Sequence, residues 1–445
     1  MSDLTFSTRD EYNRKPIAES IIRLIESNLD ITPLVIDGGW GTGKSEFCKK
    51  LIALIKEDSK FETVCIDAFQ ADHANEPLLS LIAALASIMP ESEKKKFIQK
   101  AIPAIKSSTK ILLKAAVSHV LRQDVADTVE EFDKDISKAS DKAIDYSVDK
   151  LIQSHANAKD NLDQLKDVLS KVAEKKPLIV FIDELDRCKP NYALETLELI
   201  KHTFDITGIH FVLVTNLEQI KASVNHCYGQ GVDAERYLEK FIKFTVKLPL
   251  LTDASEPSKT HISKKHFKKL TESNEFLTQS KELYSNFVSL SERAIDCHNY
   301  SLREIESLVR YMEVYYQLSI NGLNYQERHG DALMTAFGVI TYVLDPTLAE
   351  SIYNGKATLK NVMDFFKVSQ LAPSQKMGGI KHEIITFIAR MELPSDNADS
   401  LAVSNPNQFK EKVEKLFFNT ELVDENKKFG LASRAIGVLK LTGKQ

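Results

Sequence analysis

The sequence predicts an α/β protein, a parallel sheet covered by helices on both faces, with a helical insertion and an all-helical C-terminal region. Three observations predict it. Short apolar runs ("PLVIDG", "FETVCIDAF", "PLIVFIDEL", "GIHFVLVTN" and "KFTVKLPL") alternate with amphipathic helical stretches as far as residue 250. Runs without polar alternation fit strands buried on both faces, as a parallel sheet requires. A glycine-rich turn, "GGWGTGK", joins the first run to a helix, and beyond Pro249 apolar residues recur only at helical spacing.

The elements follow in order. "KPIAESIIRLIESNL" (15–29) sets Ile17, Ile21, Ile22, Leu24 and Ile25 at helical intervals, and Pro33 stops it. "PLVIDG" reads as a short buried strand, "KSEFCKKLIALIKE" as a helix with an apolar stripe, "FETVCIDAF" (61–69) as the second strand and "PLLSLIAALASIM" as the next helix. From 91 to 175 the chain is rich in lysine and aspartate and has no glycine, which predicts a helical insertion with solvated, mixed-charge faces; the alternative is a partly mobile arm. Strands return at 177–185, 208–216 and 243–250, with the helix "NYALETLELIKHTF" between the first two. Residues 251–445 read as successive helices, among them "SLREIESLVRYMEVYYQL", "GDALMTAFGVITYVL" and "QFKEKVEKLFF". The expected organisation is therefore 1–90 and 176–250 as two halves of one core, 91–175 as the insertion and 251–445 as the helical region.

Bulk properties narrow the function classes. A net charge of −5 gives no basic footprint, so nucleic acid is not indicated as a partner. Five cysteines (Cys48, Cys65, Cys188, Cys227 and Cys297), odd in number and without a CxxC pair, suggest neither zinc nor a disulfide framework, and point to a reduced cytoplasm. "MSDLTFSTRDEYNRK" is unlike a secretory leader, and the most apolar stretch, "IPAIKSSTKILLKAAVSHVL", is broken by three lysines. A soluble cytoplasmic protein with no integral membrane segment is expected.

Residues 38 to 43 hold four of the sixteen glycines. Gly38-Gly39-Trp40-Gly41-Thr42-Gly43-Lys44-Ser45 fits GxxxxGK[ST], a phosphate-binding loop, in the strand-to-helix setting that motif needs. Small residues let successive backbone N–H groups turn toward phosphate oxygens, and the following helix N-terminus adds partial positive charge. Gly38, Gly39, Trp40, Gly41, Thr42, Gly43, Lys44, Ser45 and Glu46 are the expected nucleotide contacts, with Lys44 on the β- and γ-phosphates and the Ser45 hydroxyl on Mg²⁺. "LIVFIDELDR" then puts Asp183 and Glu184 at the end of a strand. The first acid is expected on Mg²⁺; the second is expected to orient and deprotonate an attacking water. No NKxD element for reading guanine occurs, and nucleotide kinases need an acceptor site instead of a base, so a hydrolytic ATPase fits best. That class places the strand ending at Asn216 between the phosphate-loop strand and the Asp183 strand. Asn216, alone or with Thr215, is then a polar sensor near the γ-phosphate; the alternative is an ordinary strand-end asparagine.

Together "DEYNRKPIAESIIRLI", "IDGGWGTGKSEF", "IDAFQADHANEPLLSLI", "LIVFIDELDRCKP", "FVLVTNLEQI" and "DAERYLEKFIKFTVKLP" resemble the KAP family of P-loop NTPases, over residues 8–250 and, with "YSLREIESLVRYM", past 310. Trp40, the single tryptophan, and the IDELDRC string are the most specific marks. The resemblance implies a P-loop NTPase core of the additional-strand, catalytic-glutamate type, with ATP and Mg²⁺ as ligands and a helical C-terminal region. It associates bacterial members with exclusion of phages or defence against them, and animal members with membrane-bound signalling scaffolds. Many members carry transmembrane helices where this chain has its charged segment 91–175, so membrane anchoring is not carried over, and "KILLKAAVSHVL" is expected as a short buried helix, with a peripheral membrane contact as the alternative.

An arginine is expected to stabilise transition-state charge, in cis or from a neighbour. Arg236 and Arg303 are the candidates, with Arg187 beside the acids; each reads equally as a salt-bridging surface or interdomain arginine. The resemblance places Arg14 near the adenine, and His73 is expected to be a solvent-exposed loop residue. The expected function is a Mg²⁺-dependent ATPase acting as a switch, set by the resemblance in bacterial anti-phage defence or phage exclusion. Its rival is an ATP-gated scaffold with little turnover; either acts on a protein partner or self-assembles through the helical regions. A nucleic-acid motor lacks both helicase motifs and a basic stripe.

Overall fold

The computed structural model describes residues 4–27, 29–58, 60–74, 76–90, 93–94, 97–98, 163–251, 261–274, 281–319, 329–369, 381–394, 406–417 and 428–441. The chain divides into two compact units, Met1–Leu248 and Pro249–Gln445. Most of the expected 91–175 insertion, including "KILLKAAVSHVL", lies outside the described residues.

The first unit is built on five parallel strands, β1 (Leu34–Asp37), β2 (Glu62–Asp67), β3 (Leu178–Asp183), β4 (Ile209–Thr215) and β5 (Phe244–Lys247), in the order β2-β3-β4-β1-β5. The expected insertion of the strand ending at Asn216 between the other two is therefore observed. The apolar runs divide cleanly by parity, because successive strand side chains point to opposite faces. Val35, Val180, Ile182 and Leu213 enter the core on one face, whereas Leu34, Ile36, Ile179, Phe181, Val212 and Val214 enter the core on the other.

Helices α1 (Lys15–Glu26) and α2 (Lys44–Asp58) cover the second of these faces with Ala18, Ile21, Ile25, Phe47 and Leu51. Helix α1 is shorter than the expected 15–29: the backbone N–H and hydroxyl of Ser27 both donate to the Leu24 carbonyl, at 3.2 and 2.6 Å, and this competition closes the last turn. Its free N-terminal amides at Arg14 and Lys15 donate to the Asp10 carboxylate at 2.8 and 3.0 Å, so Asp10 does the work of a cap.

The other face carries α3 (Ala68–Ala71), a short turn capped by Asp67, then α4 (Pro77–Ser87), α5 (Pro190–Thr203), α6 (Leu217–Tyr228) and α7 (Ala234–Leu238). Residues 163–175 are helical, and Leu165, Leu169 and Ala173, four apart, bury one stripe in this core. Strand β5 lies at the sheet edge and is shorter than the expected 243–250; its residues are half-buried or exposed.

In the second unit the regular elements among the described residues are all helices, at Ile262–Glu272, Lys281–Cys297, Leu302–Leu318, His329–Leu344, Pro346–Tyr353, Leu359–Phe366, Lys381–Glu392, Pro406–Leu416 and Phe429–Leu439. Phe337 is fully buried at their centre, with rings of Phe365, Phe366 and Phe429 within 6.2 Å of it. Ser301 and Glu304 form a reciprocal capping box that starts Leu302–Leu318. Among the described residues no helix is long and apolar enough to cross a membrane.

Candidate nucleotide site

Parallel pairing brings the ends of four strands to one edge. The register sets Asp37 beside Thr215 and Asp67 beside Asp183. Crevices at the carboxyl ends of parallel strands are where ligands bind in such sheets, because the chain there leaves the ladder and its polar groups become available.

Between β1 and α2 the loop needs its glycines. Gly41 and Gly43 have φ of +72° and +83°, conformations that side chains disfavour. At Gly38 an added Cβ would stand 2.8 Å from the Thr42 hydroxyl oxygen, so the loop could not close around a side chain there. Arg14 fastens the loop from behind. Arg14 is 4% exposed, and its guanidinium donates to the Thr42 carbonyl at 2.9 Å and lies over the Tyr12 ring. Lys44 opens α2 and folds back, its ammonium donating to the carbonyls of Gly38 at 2.7 Å and Gly39 at 3.0 Å. Burial lowers its pKa, opposed by the carboxylates of Asp186, Asp183 and Asp37.

The next residue reaches the acids. The Ser45 hydroxyl neighbours the Asp183 carboxylate and helps to hold its pKa down, and the carboxylate's Oδ1 accepts the Glu184 N–H at 2.8 Å. Burial raises the Asp183 pKa, and the Ser45 hydroxyl, the Glu184 N–H and Lys44 oppose the rise. Glu184 has φ of +61°, a left-handed conformation uncommon for a residue other than glycine. Such strain persists where the surrounding structure over-determines it, and it turns the chain sharply out of β3. Burial raises the Glu184 pKa, while Arg187, 3.0 Å away, opposes it.

Among the described residues no three His, Cys, Asp or Glu side chains converge on a metal site. Magnesium seldom needs such a cage: it takes one or two protein oxygens and completes an octahedron with phosphate and water. The adjoining Ser45 hydroxyl and Asp183 carboxylate are a donor set of that kind.

Asn216 caps α6, its side-chain oxygen accepting the Glu218 N–H at 3.2 Å, while Asp37 accepts the Leu217 N–H at 3.0 Å. The Glu46 carboxylate turns to Lys50 at 2.7 Å and Arg9 at 3.5 Å. Arg236 is exposed on α7, and Arg303 is exposed on a helix of the second unit. The structure thus gathers Lys44, Ser45, Asp183 and Glu184 at one edge; the side-chain bonds described for these four do not include Arg236, and Arg303 belongs to the second unit. His73 is exposed, as expected. Asp186 is central and was not anticipated: it accepts from both Trp40 and Thr215. The only signal for it in the sequence is a second aspartate in IDELD, three residues after the first.

Comparison with known proteins agrees with this geometry. The KAP family P-loop domain is matched over residues 14–319. A relative, the phage T7 exclusion protein of Escherichia coli (strain K12), is 24% identical over 253 residues, covering 54% of this chain and 33% of that protein. The chain thus spans a third of that relative's length. With most of the chain matched and the parallel sheet and loop in place, the protein belongs to the KAP family of P-loop NTPases.

Proposed function

We propose that this protein binds Mg·ATP in the Gly38–Ser45 loop and hydrolyses it, acting as a switch. The observation that carries the reading is the loop ammonium of Lys44, folded onto the Gly38 and Gly39 carbonyls, lying with Ser45 and the Asp183 carboxylate at one sheet edge. On this reading Lys44 exchanges the Gly38 and Gly39 carbonyls for β- and γ-phosphate oxygens, and the loop N–H groups of Gly38 to Glu46 face the phosphates. Ser45 and Asp183 hold Mg²⁺, which when bound neutralises charge on the phosphates. Glu184 orients and deprotonates the attacking water; a carboxylate with a raised pKa is a better base at neutral pH. Asn216 presents its amide near the γ-phosphate. Arg236 or Arg303 supplies positive charge, in cis or from a second copy. The helical unit changes state in response, through a protein partner or self-assembly, in the cytoplasm. The name of the Escherichia coli relative supports a setting in phage exclusion.

Phosphate release by the full chain tests the chemistry. Glu184→Gln is expected to keep Mg·ATP binding and lower turnover about 100-fold or more; normal turnover in that variant removes Glu184 from the mechanism. Plating a phage panel on cells carrying the native locus tests the setting: protection is expected, and it is expected to disappear with Lys44→Ala.

One observation favours a second reading, an ATP-gated scaffold with slow turnover. Arg187 pairs with Glu184 and occupies the base. Solution mass with and without a non-hydrolysable ATP analogue separates the two: a shift driven by binding alone, with little phosphate release, selects the scaffold.

A further inference from the structure

Asp186 sits where three elements meet, and the proposed hydrolysis gives it no role. Its Oδ2 accepts the indole N–H of Trp40 at 2.6 Å, and its Oδ1 accepts the Thr215 hydroxyl at 3.1 Å. Trp40 belongs to the phosphate loop, Asp186 to the turn Leu185–Arg187 after β3, and Thr215 is the last residue of β4. Both oxygens of one rigid, planar group are therefore committed, one to each neighbour. Hydrogen bonds to an ionised acceptor are stronger than neutral ones.

The two donors differ in a telling way. Thr215 is 1% exposed, so its hydroxyl must find a partner inside the protein, and Asp186 supplies it. Trp40 is 51% exposed and is flanked by Gly39 and Gly41, which offer no side chains to pack against it. A large half-exposed ring in a glycine loop is held mainly by its one polar handle. Downstream of Thr215, the first amides of α6 are taken by Asn216 and by Asp37, the residue just before the loop. The β4–α6 junction is thus tied to the phosphate loop from both sides, through Asp37 and through Asp186.

We propose that Asp186 is a positioning residue that couples the phosphate loop, through Trp40, to the β4–α6 junction, through Thr215, so that nucleotide in the loop is registered at the start of α6. This coupling rests on the nucleotide reading above. Its basis in this chain is the exchange that reading requires at Lys44. When the ammonium leaves the Gly38 and Gly39 carbonyls, the backbone that carries Trp40 is released from one side while Asp186 still holds it from the other.

Trp40 is the only tryptophan of the chain, so its emission reports this bond directly. In the full chain, Mg·ATP or a non-hydrolysable analogue is expected to change Trp40 emission. Asp186→Asn and Thr215→Val are each expected to lose most of that change and to lower kcat about tenfold, with nucleotide affinity held within about threefold. Trp40→Phe keeps the ring and removes the N–H; it is expected to lower kcat equally, and the double variant Trp40→Phe/Asp186→Asn is expected to lose no more than either single one. Additive losses in the double variant overturn the coupling. So does an Asp186→Asn protein whose emission response and kcat match the unaltered chain. If Asp186→Asn does not fold, Trp40→Phe and Thr215→Val decide by the same cycle. Calorimetry on the same samples keeps the two claims apart. No Mg·ATP binding by the unaltered chain defeats the nucleotide reading; binding with unchanged Trp40 emission defeats the coupling alone.

Discussion

The two units use one uncommon backbone conformation for different ends. Glu184, in the sheet unit, and Lys367, in the helical unit, are both non-glycine residues with positive φ, at +61° and +47°. Lys367 closes the helix Leu359–Phe366, where a left-handed residue is an ordinary way to end a helix and satisfy its last carbonyls. Glu184 closes nothing of the kind; it turns the chain out of β3 and keeps a carboxylate beside Asp183. The same contrast runs through the buried polar groups. In the sheet unit the buried side chains of Lys44 and Arg14 donate to carbonyls of the phosphate loop. In the helical unit, Ser263, Thr271 and Thr341 donate to nearby backbone carbonyls, and Lys428 pairs with Glu392. Polar groups at the sheet edge converge on the phosphate loop and the adjoining acids, whereas those of the helices are spent on the fold itself.

Substitutions can break or sharpen this contrast. The largest expected effect is on stability in the helical unit. Phe337→Ala leaves a cavity among packed rings and is expected to cost about 3–5 kcal/mol, read by chemical denaturation. A loss below about 1 kcal/mol would mean that this core is not close-packed. Next is Arg14→Ala, which removes the donor behind Thr42. Leaving a buried carbonyl unpaired costs about 1–3 kcal/mol. Because that carbonyl belongs to the loop, the loss should appear as weaker Mg·ATP binding, roughly tenfold or more. Unchanged affinity with lowered stability would move Arg14 to the structural side of the comparison.

Third is Ser301→Ala, which removes half of a capping box and is expected to cost about 1 kcal/mol without altering nucleotide affinity. The smallest effect is a change in pH profile. Burial raises the Glu184 pKa and Arg187 opposes it, so Arg187→Ala raises it further. A base works only when deprotonated, so the acid side of the rate profile is expected to move to higher pH. A profile unmoved, or moved to lower pH, would show that Glu184 does not limit the rate there.

Much of the site was legible in the sequence because its parts are local. The loop needs only Gly38 to Ser45 in order, and the strand run ending in Asp183 carries its own signal. The place of the strand ending at Asn216, between the loop strand and the Asp183 strand, was legible as well, once the loop and the acid pair had been recognised together. The Trp40–Asp186 hydrogen bond was not, because it joins residues separated by 146 positions and depends on three strand ends meeting in register. Asn216 could be located at a strand end, but not as a helix cap, since the Glu218 amide it accepts becomes a free donor only once α6 begins there. The end of α1 at Glu26 likewise turns on a single serine side chain competing with the backbone, which apolar spacing does not register.

The most direct test titrates Mg·ATP by calorimetry into the full chain and into Lys44→Ala, both shown to be folded by circular dichroism. Saturable binding near one nucleotide per chain, lost in the lysine variant, is the expected result. An unaltered chain that takes up no Mg·ATP, or a lysine variant that binds it equally well, would contradict the account.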